Sequence, residues 1–234
     1  MLMFLHGGGL NQAMWVPQIQ NLSEDFAIST IDLPGHGELS QIPFTLAEAV
    51  EHVKRTISRE CNGRVVTIGL SLGGYVAIAH AAKYPDQVAG LVLSGCCVQY
   101  FGFVGLLARI NVLLLNWLSN TRFTAMQKRM IGAVTDSAIC KAVADRGFSR
   151  RGAQDGMNEV IGEDFASMLR RCQVPVTIVN GEHDTLNRRN EHKIINAMGN
   201  ARIEVLKNCG HLCSLECSEL FSGIIRQFII RIAA

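Results

Sequence analysis

Val65-Val66-Thr67-Ile68-Gly69-Leu70-Ser71-Leu72-Gly73-Gly74 runs straight into Tyr75-Val76-Ala77-Ile78-Ala79-His80-Ala81-Ala82. This is an apolar strand, a glycine-flanked serine and an Ala-rich helix in direct succession. A strand-to-helix turn this tight strains the backbone of its central residue, and bulky neighbours would clash. Gly69 and Gly73 remove those side chains and leave the Ser71 hydroxyl exposed at the end of the strand. The helix N-terminus that follows favours negative charge. The pattern by itself is short and weak, and it is the strand before it and the helix after it that give it meaning.

Outward from this turn, short apolar runs alternate with longer helical patterns. The runs are Leu2 to Leu5, Phe26 to Ile31, Arg64 to Ile68, Ala89 to Leu93, Val174 to Val179 and Arg202 to Leu206. Most are continuous, as strands buried on both faces should be. Thr45 to Glu60 carries Leu46, Val50, Val53 and Ile57 at helical spacing, with Thr45 as cap and Glu48 completing a capping box. Leu72 to Lys83 stops before Pro85, and Leu215 to Ile232 ends the chain as a helix. The alternation predicts an α/β fold with a mostly parallel six-stranded sheet flanked by helices. From about 98 to 171 only helical patterns occur. The expected organisation is a core of residues 1–97 and 172–234 with a helical insertion at 98–171.

A serine hydroxyl is a poor nucleophile until a base takes its proton. On such an elbow the acid and base follow downstream, in the order Ser, Asp, His. Asp184 lies in Gly181-Glu182-His183-Asp184, just past the 174–179 run, and His211 lies in Cys209-Gly210-His211, just past the 202–206 run. Both fall in loops leaving strand C-termini, where open α/β sheets place their sites. Glu182 and Asp32 are the rival carboxylates, and Asp32, which precedes Ser71, is expected to brace its own loop. His52, His80 and His192 lie in helical patterns, His36 in a Pro-Gly-His-Gly turn, and His183 directly before the acid. His6-Gly7-Gly8-Gly9 follows the first strand and offers backbone N–H donors for an oxyanion, with Gly8 and Leu72 as the expected pair. His6 itself is expected to fix the loop and to transfer no proton.

Taken in order, His6-Gly7-Gly8-Gly9, Asp32-Leu33-Pro34-Gly35-His36-Gly37, Gly69-Leu70-Ser71-Leu72-Gly73-Gly74, Gly181-Glu182-His183-Asp184 and Gly210-His211 resemble the α/β-hydrolase superfamily, in its esterase, lipase and lactonase branch. The resemblance implies a catalytic triad of Ser71, Asp184 and His211 and a helical cap formed by the insertion. Family members usually carry two strands before the His-Gly loop. This chain begins five residues before His6, so six strands are expected, with the 26–31 strand on an exposed edge through which a homodimer could form. Ser71 argues against dehalogenases and epoxide hydrolases, which use aspartate at the elbow.

The implied function is cleavage of small to medium apolar carboxylic esters or lactones through an acyl-enzyme on Ser71. Carbon–carbon bond hydrolases, cofactor-free haloperoxidases and lyases share the same triad, and a small-molecule receptor is the non-enzymatic alternative. The cap arginines Arg109, Arg122, Arg129, Arg146, Arg150 and Arg151 would favour a carboxylate-bearing substrate if they faced the site. Phe103, Leu107 and Trp117 are the apolar cap residues expected to line a substrate pocket.

Composition narrows the partners. With 22 basic and 20 acidic residues the net charge is +2, a balance that calls for neither nucleic acid nor an anionic membrane. The most apolar stretch, Phe101 to Leu118, is interrupted by Arg109, Asn111 and Asn116 and falls short of a membrane span. No secretory signal is visible, so the eight cysteines are expected as free thiols in a reducing cytoplasm. Cys209, Cys213 and Cys217 flank His211, but no Cys-x-x-Cys pair exists, and neither metal nor cofactor is expected.

Overall fold

The structure, a computed structural model, describes residues 1–198 and 201–233. Six strands, β1 (Leu2–Leu5), β2 (Ile28–Ile31), β3 (Val65–Leu70), β4 (Val88–Ser94), β5 (Val176–Gly181) and β6 (Ala201–Leu206), form one sheet in the order β2-β1-β3-β4-β5-β6. Every neighbouring pair is parallel. All residues of β1, β3 and β5 are buried, which is why their sequences are apolar without alternation. β2 alternates and β6 is mostly half-exposed, as befits the two edges. The 26–31 run does form an edge strand, shortened to Ile28–Ile31.

The pleat divides the core in two. Met3 and Leu5 of β1 face one layer, with Val53, Ile57, Val76, Phe165 and Leu169; Leu2 and Phe4 face the other, with Trp15, Leu22, Phe221, Ile225 and Phe228. The first layer holds helices α2 (Leu46–Glu60), α3 (Leu72–Lys83), α8 (Phe165–Arg171) and α10 (Glu191–Ala197); the second holds α1 (Val16–Leu22) and α12 (Ser218–Ala233). Thr45 caps α2 by accepting from the Glu48 N–H at 3.1 Å. The reverse arm of the capping box is not made, because the Glu48 carboxylate pairs with Arg55 instead. The C-terminal helix breaks at Cys217 into α11 (Cys213–Glu216) and α12.

Between β4 and β5 lie α4 (Gly102–Asn116), α5 (Asn120–Gly132), α6 (Ser137–Asp145), α7 (Arg150–Val160) and α8, with no strand among them. α7 comes down onto the sheet's C-terminal edge. Gly152 packs against Gly35 and His36, and Gly156 against Leu72. The Ser149 N–H donates to the Gly9 carbonyl at 3.0 Å, and Asn11 donates to Val143 and Gly147, each at 2.9 Å. A short helix α9 (Thr185–Arg188) follows β5.

The chain runs outward from β1 to β2 and then returns to place β3 on the other side of β1. The β1–β3 boundary is therefore the topological switch point of the sheet, where the loops leaving neighbouring strands diverge and open a crevice. The loop after β1 is His6 to Gly9, and the residue after β3 is Ser71.

Candidate active site

Ser71 adopts φ 52° and ψ −116°, a conformation that costs on the order of 1–3 kcal/mol for a residue with a Cβ and persists only where the surroundings over-determine it. Here they do. A Cβ at Gly69 would stand 2.5 Å from the Gly73 carbonyl oxygen, and one at Gly73 would run into the Leu5 carbonyl and lie 2.7 Å from that of His6. The elbow is thus wedged against the end of β1. The Ser71 N–H donates to the Ser94 carbonyl at 2.7 Å, which ties it to the end of β4 as well. Leu72 opens α3, so its N–H has no intrahelical acceptor.

Asp184 and His211 meet at the same end of the sheet. The His211 Nδ1 lies 2.7 Å from Asp184 Oδ2. Asn187 donates through Nδ2 to both Asp184 oxygens, at 3.1 and 3.0 Å. Burial alone would raise the Asp184 pKa, but the hydrogen bond and charge of His211, with the Asn187 donors, outweigh it and hold the carboxyl below its usual value. Asp184 is therefore ionised throughout the neutral range. With Nδ1 engaged by the acid, Nε2 is the ring nitrogen left for proton transfer. The His211 ring lies over Gly95, where a Cβ would stand 2.5 Å from Cε1. Gly95 directly follows Ser94, whose carbonyl holds Ser71, so the imidazole and the serine flank the same short segment. The rival Glu182 points elsewhere and accepts from the Asn208 N–H at 3.1 Å.

Three side chains that the sequence reading did not single out hold this geometry. Asn180, buried at the end of β5, accepts from the Gly95 N–H at 2.8 Å. The Asn187 oxygen accepts from the Cys97 N–H at 2.8 Å, and Glu216 accepts from the Gly210 N–H at 2.7 Å, one residue before His211. A polar residue at position 180, directly after the 174–179 run, was the one available signal.

The glycine loop is held by two histidines. His6 Nε2 accepts from the Leu33 N–H at 2.9 Å and its Nδ1 donates to the Gly7 carbonyl at 2.9 Å. His36 Nε2 accepts from the Gly9 N–H at 3.0 Å and its Nδ1 donates to the Pro34 carbonyl at 2.9 Å. The Gly9 N–H is thus engaged by His36, and the backbone of Gly8 packs against the Leu72 side chain. Asp32 accepts from the Gln12 and Glu38 N–H groups at 2.8 and 3.0 Å, bracing its own loop.

Burial pushes the pKa of both histidines down, that of His6 to about 3, and the same cause brings His80 in α3 down to about 4. The unfolded chain takes up protons on these histidines near pH 6.5, whereas the folded chain does not. Stability is therefore full above about pH 6.5 and declines as pH falls towards the folded values, by up to about 1.4 kcal/mol per pH unit for each histidine. The urea midpoint is expected to be lower at pH 5 than at pH 7.5. A midpoint that rose or stayed flat over that interval would contradict this account of the loop.

Above Ser71 lies a cavity of about 270 Å³, floored by Gly8, Ser71 and Leu72 and walled by Tyr75, Tyr100, Val112, Leu115, Phe123, Met126, Gln127, Met157 and Val160. The structure corrects the expected substrate contacts. Phe103, Leu107 and Trp117 do not line the cavity and are 73%, 45% and 88% exposed. α4 turns the face carrying Gly105, Ala108 and Val112 inward, and these three residues lie on the opposite side. A larger, shallower hollow of about 520 Å³ among α2, α3, α7 and α8 contains none of the candidate site residues.

The cysteines need a second correction. Cys209 and Cys217 are joined in a disulfide across the loop that carries His211, whereas free thiols were expected. The other six are free. Among the described residues, no group of three or more His, Cys, Asp or Glu side chains is placed to hold a metal ion.

Comparison with known proteins fits this geometry. A model of the alpha/beta hydrolase family matches residues 2–222. The chain belongs to that family. Relatives of this hydrolase include the pimeloyl-[acyl-carrier protein] methyl ester esterases of Neisseria meningitidis, 24% identical over 96% of this chain and 91% of theirs, and of Nitrosomonas europaea, 26% identical over 94% and 92%. Among solved structures, a hydrolase from Pseudomonas aeruginosa PA01 superposes with TM-score 0.82 at 22% identity, covering 97% of this chain and 89% of that one. The enol-lactonase of Burkholderia xenovorans LB400 superposes with TM-score 0.80 at 18% identity, covering 98% and 90%. At those identities the two structures speak for the fold.

Proposed function

We propose that this alpha/beta hydrolase is a serine carboxylesterase acting on small to medium apolar esters or lactones, with Ser71 as nucleophile, His211 as base and Asp184 as the acid that orients it. The observation that carries the reading is the 2.7 Å Asp184–His211 pair beside the strained Ser71 elbow. His211 Nε2 takes the Ser71 proton as Oγ attacks the carbonyl carbon. The oxyanion is held by the N–H groups of Gly8 and Leu72. His211 then protonates the leaving alkoxide, which departs and leaves an ester on Ser71. Water repeats the sequence in reverse roles and releases the acid. Helices α4 to α8 act as a cap that keeps bulk water from the reacting carbonyl. The esterase relatives support ester hydrolysis, and the methyl ester they are named for is in line with a small alcohol leaving group.

The cavity supports the apolar substrate class. No arginine or lysine lines it. Arg146 pairs with Glu38, Arg150 with Asn120 and Gln154, and Arg151 with Asp155. The cap arginines thus give no support to a carboxylate-bearing substrate or to the carbon–carbon hydrolase alternative. Each methylene buried in such a cavity is worth roughly 0.8 kcal/mol, or about fourfold in affinity. The gain stops when the enclosed volume is full. Specificity constants for p-nitrophenyl esters from acetate to palmitate are therefore expected to pass through a maximum. A steady rise to palmitate would mean an open, lipase-like groove, and no turnover on any of them would move the assignment away from esters.

A further inference from the structure

The outward face of α4 is apolar where a helix facing water is ordinarily polar. Phe103, Leu106, Ile110, Leu113, Leu114 and Trp117 follow helical spacing and are 43% to 88% exposed. They are not needed for the fold, because α4 packs on α7 through the opposite face. A contiguous exposed apolar surface of this kind marks a site of association.

Charge identifies what the surface fits. From Phe101 to Thr135 the sequence contains no aspartate or glutamate. Its charged residues are Arg109 on α4 and Arg122, Lys128 and Arg129 on α5, all four exposed. Among the described residues none of the four makes a salt bridge or a side-chain hydrogen bond. We propose that α4 lies in the surface of a bilayer containing anionic phospholipid, its apolar face in the acyl boundary and the basic residues of α4 and α5 among the headgroups. Aromatic and leucine side chains on one face with arginine and lysine beside them are what an interfacial helix requires. Among the described residues no single helix is long and apolar enough to cross a membrane; α4 and α5 together have the length and composition of a broken span but meet at 116°. The four cations they carry and the packing of α4 on α7 favour lying on the bilayer over entering it. A second copy of the chain fits less well, since a two-fold contact would bring the same unpaired cations against themselves. The cavity above Ser71 is lined by Asn111 and Met126, both exposed, so it reaches the surface between these same two helices.

Trp117 supplies the readout, because the other tryptophan, Trp15, is buried. The full chain is mixed with phosphatidylcholine vesicles, with and without phosphatidylglycerol, and followed by flotation and tryptophan emission. The expected result is flotation with the phosphatidylglycerol vesicles, a blue shift that Trp117→Phe removes, and release by salt. Leu106→Glu/Leu113→Glu is expected to weaken partition by about tenfold or more while hydrolysis of a soluble acetate ester is unchanged. Arg122→Gln/Arg129→Gln, which leaves the apolar face intact, is expected to cost about fivefold per charge removed. Flotation that is absent, equal on both vesicles, or unchanged in both variants overturns the proposal. So does a dimer that Leu106→Glu/Leu113→Glu splits in a wild-type protein that ignores vesicles.

Discussion

Ser71→Ala is expected to lower ester turnover by about a millionfold, to near the uncatalysed background, without lowering the thermal unfolding midpoint. The two halves of this expectation have separate causes. In the proposed mechanism the hydroxyl is the group that forms the covalent bond, and the base, acid and oxyanion donors have nothing to activate without it. Removing several members of such a unit costs little more than removing one, because the members act together. The fold does not depend on the hydroxyl. What holds the elbow is the Ser71 N–H on Ser94 and the close approach of Gly69 and Gly73 to their neighbours, all backbone features that alanine keeps. Alanine is as strained as serine at φ 52°, so neither relief nor added cost is expected. Retention of more than a few per cent of the wild-type rate would remove Ser71 from the mechanism.

His211→Ala is expected to be equally damaging, and Asp184→Asn to lower turnover by about ten-thousandfold. In the proposed mechanism the histidine moves protons in both half-reactions. The acid fixes the tautomer that presents a free Nε2 and stabilises the imidazolium once formed. An asparagine in its place offers an N–H to the ring and favours the wrong tautomer. Glu182→Gln is the internal control, since the Glu182 carboxylate accepts from the Asn208 N–H and lies in the same loop. If Glu182→Gln proved as damaging as Asp184→Asn, the choice of acid would be wrong. Measuring kcat for all three on one soluble ester settles the comparison.

The parts of this site legible in the sequence are those whose chemistry forces residue types at fixed places. An elbow demands glycine on both sides of its serine. A triad on such a sheet demands an acid and then a histidine in loops after later strands, and positions 184 and 211 meet that demand. The inner strands were legible for the same reason, since burial on both faces leaves a largely apolar run. The supporting contacts were not. Asn180 and Asn187 act through hydrogen bonds to backbone groups far away in the chain, and Glu216 through one on the loop it closes, and nothing in their neighbours announces those partners. The misassigned Phe103, Leu107 and Trp117 have a clear physical cause. α4 is apolar on both faces, so periodicity cannot tell which face turns inward. Small residues at 105 and 108 let α4 approach α7, and that approach sends the larger side chains outward. The Cys209–Cys217 bond was hidden because a sequence separation of 8 fits a closed loop and two free thiols equally well.

The central claim is that one serine, at the end of β3, is the covalent centre of this hydrolase. A fluorophosphonate probe reacts with a serine only where a base activates it and an oxyanion site receives the phosphonyl oxygen. After labelling the full chain, intact mass and peptide mapping read the stoichiometry and the position. The account predicts one adduct per chain, on Ser71, complete loss of esterase activity in step with labelling, and no adduct in Ser71→Ala. Labelling at another residue, or full activity in a protein that the probe does not modify, would contradict it.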